Sequence, residues 1–312
     1  MKKLFALYIV FLILTPSIYA QGLLDELDFF AESELKEEID TTKKEKVQGV
    51  FFGNRIINGQ STQMLPKKTM EFIIAHRFGT LNSGFFEFFG LDNASVRFGF
   101  EYAITDWMSV SFGRSSYLKT WDFNAKAKFL TQKENGMPIS GVLYLSAALD
   151  GRKRLYPDDR PTFFNQRLSY TSQLLVSRKM TKWLSLQVMP TLVHYNLVET
   201  SLDKNALFLI GVGTQIRFTH NLGITAEYYA RIKDNPSNDF KNTLAIGIDY
   251  TTGGHVFQFQ FTNAQAMFDS GFMRQTTGNF WKGDVHFGFN ITRNFAIGHN
   301  KEGGKKGKKN KS

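Results

Sequence analysis

The sequence predicts an all-β fold, a transmembrane antiparallel up-and-down β-barrel of the outer-membrane type. About twelve strands are expected, and one misread hairpin would make them ten or fourteen. Three observations point there. Apolar and polar residues alternate strictly over runs of about 9 to 12 residues, longer than the usual soluble strand and matched to a tilted bilayer crossing. Aromatic residues gather at the strand ends, in "TDW", "TKW" and "NFW", where a membrane–water interface would lie. Connections alternate, with one exception, between short turns and longer loops, as in bacterial barrels.

The chain opens with MKKLFALYIVFLILTPSIYA. Lys2 and Lys3 form a positive start, residues 4–14 an apolar stretch, and Ala20 a small-residue end, the layout of a signal peptide over 1–20. Residues 21–48 carry nine acids and four Lys, a net charge of −5. Within them Leu23, Leu24, Leu27, Phe30 and Leu35 share one helical face. This acidic periplasmic segment reads equally as a short amphipathic helix at 22–39, able to dock a periplasmic or envelope protein, and as a mobile linker. The tail, 298–312, is Lys-rich and expected to be disordered in the periplasm. It either solubilises the end of the chain or binds anionic headgroups or cell-wall polymer.

Between these ends lies the barrel domain, 49–297. Its expected strands are 69–78, 94–104, 107–116, 120–131, 138–149, 166–179, 183–196, 205–219, 222–232, 240–252, 254–263 and 281–293. Val96, Phe98, Phe100, Tyr102 and Ile104 alternate with Ser95, Arg97, Gly99, Glu101 and Ala103, and Phe257, Phe259 and Phe261 alternate with Gln258, Gln260 and Thr262. In a membrane the apolar set faces lipid and the polar set faces an internal lumen. A turn signature recurs as "AITDWMSV" (103–110), "KMTKWLSL" (179–186) and "FTHNLGI" (218–224), each reading as a short periplasmic hairpin. Its last echo, "ITRNFAI" (291–297), has no strand after it, so the barrel should close there. An even strand count puts both termini in the periplasm.

The composition excludes several functions. The chain has no Cys, hence no disulfide framework and no thiolate metal site. No His, Asp and Glu cluster has metal-ligand spacing, and no phosphate-binding glycine loop is present, so neither metal nor cofactor is expected. The charge of +10 would suit nucleic acid, but export and the lack of any nucleic-acid motif argue against it. Outer-membrane lipases use a Ser–His–Asn arrangement at the outer face. Here only His76 falls near a loop Ser, Ser83, and no spacing around it resembles theirs, so the protein is read as not an enzyme.

Alternation assigns Arg97, Glu101, Asp122, Lys126, Lys128, Arg167, Arg217, Glu227, Arg231, Asp249, Asp284 and His286 to the lumen. Two readings stand for these groups. They form interior salt bridges that fill and stiffen the barrel, or they line a polar pore whose charge balance selects solutes, anions favoured. Outside the barrel, the loop "LNSGFFEFFGLDN" (81–93) places Phe85, Phe86, Phe88 and Phe89 in four of five positions, a surface that should cover the mouth, dip into lipid or meet a partner. The loop 263–281 is the other distinctive one, and both could line a mouth site or pack on themselves as a lid.

"VFFGNRIINGQST" (50–62), the run 71–116 and "FTNAQAMFDSGFMRQTTGNFWKGDVHFGFNITRNF" (261–295) resemble a bacterial family described as membrane-bound β-barrel domains (domain of unknown function 5777). The resemblance covers about 48–297, implies an outer-membrane barrel and transfers no site residues. The expectation is an outer-membrane, porin-like barrel passing small polar solutes in a Gram-negative bacterium. The alternative is a structural or docking barrel for an envelope or secretion partner.

Overall fold

The computed structural model describes residues 45–155, 162–198, 203–232 and 239–297. The expected signal peptide, the 22–39 helix, all but the last residues of the acidic segment and the Lys-rich tail lie outside them.

The chain folds into a closed barrel of twelve strands. They are β1 Thr69–Thr80, β2 Ala94–Ala103, β3 Met108–Ser115, β4 Trp121–Leu130, β5 Ser140–Leu149, β6 Leu168–Lys179, β7 Leu184–Tyr195, β8 Ala206–Arg217, β9 Leu222–Ile232, β10 Thr243–Thr252, β11 His255–Thr262 and β12 His286–Ala296. Every strand pairs antiparallel with its sequence neighbours. β12 closes on β1 in the register Thr69↔Ala296 to Arg77↔Gly288. Strands of 8 to 12 residues, tilted by about 40°, span about 20–30 Å, a hydrocarbon core's depth.

The two faces are inverted relative to a soluble protein. Phe98, Phe112, Phe123, Leu145, Phe208, Ile248 and Phe259 are exposed on the outside, whereas Gln173, Gln187, Gln215, Thr225, Gln258 and Asn290 are buried inside. Exposed apolar side chains in such numbers would be costly in water and are stable against lipid.

One mouth, here the base, carries the start of β1, the end of β12 and the short turns. The other, the rim, carries the long loops. Three base turns share one device. The Oγ1 of Thr105 accepts the backbone N–H groups of Trp107 and Met108 at 3.3 and 3.0 Å. Thr181 does the same for Trp183 and Leu184 at 3.3 and 3.0 Å, and Thr219 for Asn221 and Leu222 at 3.2 and 3.0 Å. A Thr hydroxyl at the head of the turn satisfies two N–H groups that the ladder leaves unpaired. The fourth echo differs, because Thr292 lies within β12 and pairs with Ile73. That strand starts later than the alternation suggests. Phe280–Lys282 form a 3₁₀ turn capped by Asn279 and closed by left-handed Gly283, and pairing begins only after it.

Two segments between or before the strands lie inside the barrel. Residues 50–65 enter from the base, fold into a hairpin and return to β1. Val50, Phe51, Asn54, Ile56, Ile57, Asn58, Gln60, Ser61, Thr62, Met64 and Leu65 are all buried. The hairpin closes through Ile56 N–H to Gly59 O and Ser61 N–H to Asn54 O, both 2.9 Å. From the rim, the loop after β11 folds inward and forms the short helix α1, Asp269–Arg274, every residue of which is buried.

Candidate functional site

The lumen is the only extended polar interior among the described residues, and both inward segments act as lids on it. Its wall is built by inward positions of the strands. Arg97 on β2 donates its Nε to Asp122 Oδ1 at 2.9 Å, and Asn124 adds a bond to Asp122 Oδ2 at 3.1 Å. The guanidinium fits because Gly99 and Gly113 flank it. A Cβ at Gly113 would come within 2.2 Å of Arg97 Nη2. Lower in the wall, Glu71 and Glu101 stand directly opposite one another on β1 and β2. Lys126 reaches Glu101 at 3.8 Å and donates to Asn54 O at 2.9 Å, and Ser109 donates to Glu101 at 2.7 Å. Asp249 accepts from Gln215 at 3.0 Å and Gln258 at 3.1 Å.

The base lid is joined to this wall by apolar packing of Val50, Phe51, Ile56 and Met64 and by a set of polar contacts. Glu227 on β9 accepts three successive backbone N–H groups at the hairpin tip, from Ile57 at 3.3 Å, Asn58 at 2.8 Å and Gly59 at 3.0 Å. Such a concave run of N–H groups is an anion-binding nest, here filled by the barrel's own carboxylate. Arg77 donates to Asn58 Oδ1 at 2.7 Å, Gln258 to Ile56 O at 2.6 Å, Asn290 to Ile57 O at 3.0 Å and Gln187 to Gln60 O at 2.7 Å. At the base, Arg217 donates to Gly49 O and lies 4.4 Å from the ring centre of Phe52.

The rim lid packs into the same apolar cluster. Phe268, Phe272 and Met273 pack into an apolar layer with Tyr229, Met189, Val193 and Leu209. Arg231 donates to Arg274 O at 2.8 Å, and Ser169 and Ser270 share a 2.8 Å bond. Tyr144 links the two lids, since Gln60 Nε2 donates to Tyr144 Oη at 3.3 Å and Tyr144 Oη donates to Asp269 Oδ2 at 2.6 Å, and Thr262 Oγ1 links them again by accepting from Asn58 Nδ2 at 3.4 Å and Ala264 N–H at 3.2 Å.

The residues named from the alternation fall into groups. Arg97, Glu101, Asp122, Lys126, Glu227 and Asp249 are buried inside the barrel. Lys128 and Arg217 are half-buried toward the base and Arg231 toward the rim. His286 is buried at the start of β12, its Nδ1 2.8 Å from Phe78 O. Two assignments are corrected. Arg167 is not a strand residue, because pairing of β6 begins at Leu168. It staples the rim loop by donating to the carbonyls of Asp150 and Lys153 and to Thr162 Oγ1 at 3.2, 3.3 and 2.9 Å. Asp284 does not face the lumen either. It precedes β12 and accepts from Asn279 N–H at 2.8 Å and Asn82 Nδ2 at 2.5 Å, tying two rim loops. Those donors, the Asn279 N–H first, hold its carboxyl below the usual carboxylate range.

Phe85, Phe86, Phe88 and Phe89 project from the rim, with Phe86 97% exposed, and Phe88 and Phe89 adopt left-handed φ of 46° and 54°. His76 faces outward and stacks on Phe289 at 4.9 Å, whereas Ser83 bonds Thr80. The alternation did not assign the hairpin 50–65. It lacks a period of two, but its "NG" at Asn58–Gly59 is a turn dipeptide and marked the tip.

Residues 51–295 match the family model described as membrane bound beta barrel domain, domain of unknown function 5777. The chain belongs to this family. None of the curated proteins matches this membrane-bound barrel. Among solved structures it is similar to the NanC porin, at 7% identity over 72% of this chain and 98% of that one, with a TM-score of 0.45. It is also similar to the KdgM porin, at 8% identity over 73% and 99%, with a TM-score of 0.44. A third is outer membrane phospholipase A from Escherichia coli, at 9% identity over 74% and 91%, with a TM-score of 0.41.

Proposed function

We propose that this protein is a gated outer-membrane barrel, sealed in the form described, that passes small polar solutes when its lids move. In that reading the base faces the periplasm and the long loops face outward. The observation that carries it is the chemistry of the seal. The wall is polar and charged, as a pore's is, and although Val50, Phe51, Ile56 and Met64 pack in the apolar cluster, the hairpin tip is held to the wall by hydrogen bonds that water or a solute can replace. The anion preference suggested by the sequence finds less support. The buried charges of the strands are five acids, Glu71, Glu101, Asp122, Glu227 and Asp249, against three bases, Arg77, Arg97 and Lys126.

The filled lumen also favours a second reading, a structural or docking barrel whose segment 22–39 binds an envelope partner. Planar-bilayer recordings separate the two. Gating predicts silence from the full-length protein at rest and stepwise conductance from Glu227→Gln, whose amide holds the hairpin tip more weakly. Steady conductance of the unaltered protein would overturn the sealed state. Silence of both, with a partner captured by full-length protein and lost on deletion of residues 21–48, would favour docking.

A further inference from the structure

A cavity of about 360 Å³ opens at the rim, between the lid residues Phe268 and Gln275 and the loops that follow β3, β5 and β7. This is within the range of small-molecule sites. It lies beyond the sealed lumen, so a ligand can reach it with both lids closed.

Its two sides differ in chemistry. One is apolar, formed by Leu118, Leu168, Leu197 and the rings of Tyr195 and Phe268. The other holds two guanidinium groups. Arg152 is neutralised by Asp150, with Nη2 to Oδ2 at 2.7 Å. Arg167 is not, for its acceptors are the carbonyl oxygens of Asp150, Arg152 and Lys153 and the hydroxyl of Thr162, all neutral. The cavity thus carries one positive charge without a carboxylate against it among the described residues. Two further features lie on its lining. Gln275 Oε1 is shielded from solvent and has no hydrogen-bond partner. Leu118, a non-glycine residue, is held in left-handed backbone at φ 51°, with Lys119 beside it at 52°. An unsatisfied polar group and a strained backbone beside one concavity are features that binding sites hold.

We infer that this rim cavity binds a small amphiphilic anion, one carboxylate or phosphate on an apolar body, with the anion against Arg167 and the body between Leu118, Tyr195 and Phe268. The site does not depend on the lumen opening, so its test and the conductance test fail independently.

The probes are 3-phenylpropionate, the uncharged 3-phenylpropanol and inorganic phosphate, titrated calorimetrically against the full-length protein in nanodiscs with empty nanodiscs as blank. Saturable binding of the acid is expected, with the alcohol and phosphate each at least about ten-fold weaker. Arg167→Gln should bring the acid down to the alcohol. Because Arg167 also staples its loop, Leu118→Gly is the second variant. Glycine accepts the left-handed backbone without strain, so the fold is retained while the apolar contact is lost and the acid weakens several-fold. Equal affinity for acid and alcohol, full binding by Leu118→Gly, or no saturable binding of the acid would each overturn the assignment.

Discussion

Glu227 shows how much one side chain carries in this interior. Its carboxylate accepts three consecutive N–H groups of the hairpin tip and is itself buried. Replacing it with Ala leaves those donors without a partner in a dry site, and a loss of about 2–4 kcal/mol in thermal unfolding in detergent is expected, with Glu227→Gln losing less. Gly113 is a test of packing. Its missing Cβ makes room for the Arg97 guanidinium, which Asp122 pins, so the ring of groups cannot yield easily. Gly113→Ala is expected to cost about 1–3 kcal/mol, measured the same way, while a glycine in open space such as Gly253 tolerates Ala. The alternation assigns Glu227 and Arg97 to one face of their strands, and both are buried, since side-chain direction in a strand depends only on position parity. The partners of Glu227 were hidden because they lie about 170 residues away in a segment without that parity.

Elements are set by local chemistry where they are turns and by pairing where they are strands. The Thr hydroxyls of the three base turns each close two N–H groups, so Thr105→Val, Thr181→Val and Thr219→Val should each lose about 0.5–1.5 kcal/mol. The turns are separate, so the triple variant should lose the sum, read from the same unfolding curves. Strand limits followed the alternation within two or three residues except at β12, where the capped turn Phe280–Lys282 delays pairing. The rim loops respond to pH through Asp284. Its carboxyl lies below its ordinary value, so the tie to Asn82 and Asn279 is fully present above the ordinary carboxylate range and is lost as pH falls through the lowered value. Protection of Asn279 N–H from hydrogen exchange, taken relative to its intrinsic rate at each pH, should therefore fall only in acid, and Asp284→Asn should remove that pH step.

The whole molecule is a polar tube closed from both ends, and its two lids share Tyr144. Tyr144→Phe cuts that link without changing the ring's packing. Gating then predicts that openings of the Glu227→Gln barrel no longer require both lids to move together, which single-channel records would show as added subconductance levels. Selectivity also belongs to this scale. An opened lumen would expose five wall acids against three bases, so the reversal potential under a salt gradient should shift toward the cation. A shift toward the anion would mean that the basic groups near the mouths, Lys128, Arg217 and Arg231, set the choice.

Alternation and turn signatures were enough for the class, for about twelve strands and for the two-faced pattern of the wall. A period of two and a repeated turn act through neighbours a few residues apart, and they are visible in one dimension. The sequence also marked the Phe-rich loop and the loop 263–281 as unusual. That the lumen is filled emerges from the folded barrel alone. Sealing depends on the hairpin 50–65 and helix α1 meeting wall residues from many strands, by contacts whose partners are fixed by barrel closure and not by spacing along the chain. The same holds for the rim cavity, whose charge balance rests on which oxygens Arg167 and Arg152 find once three loops converge.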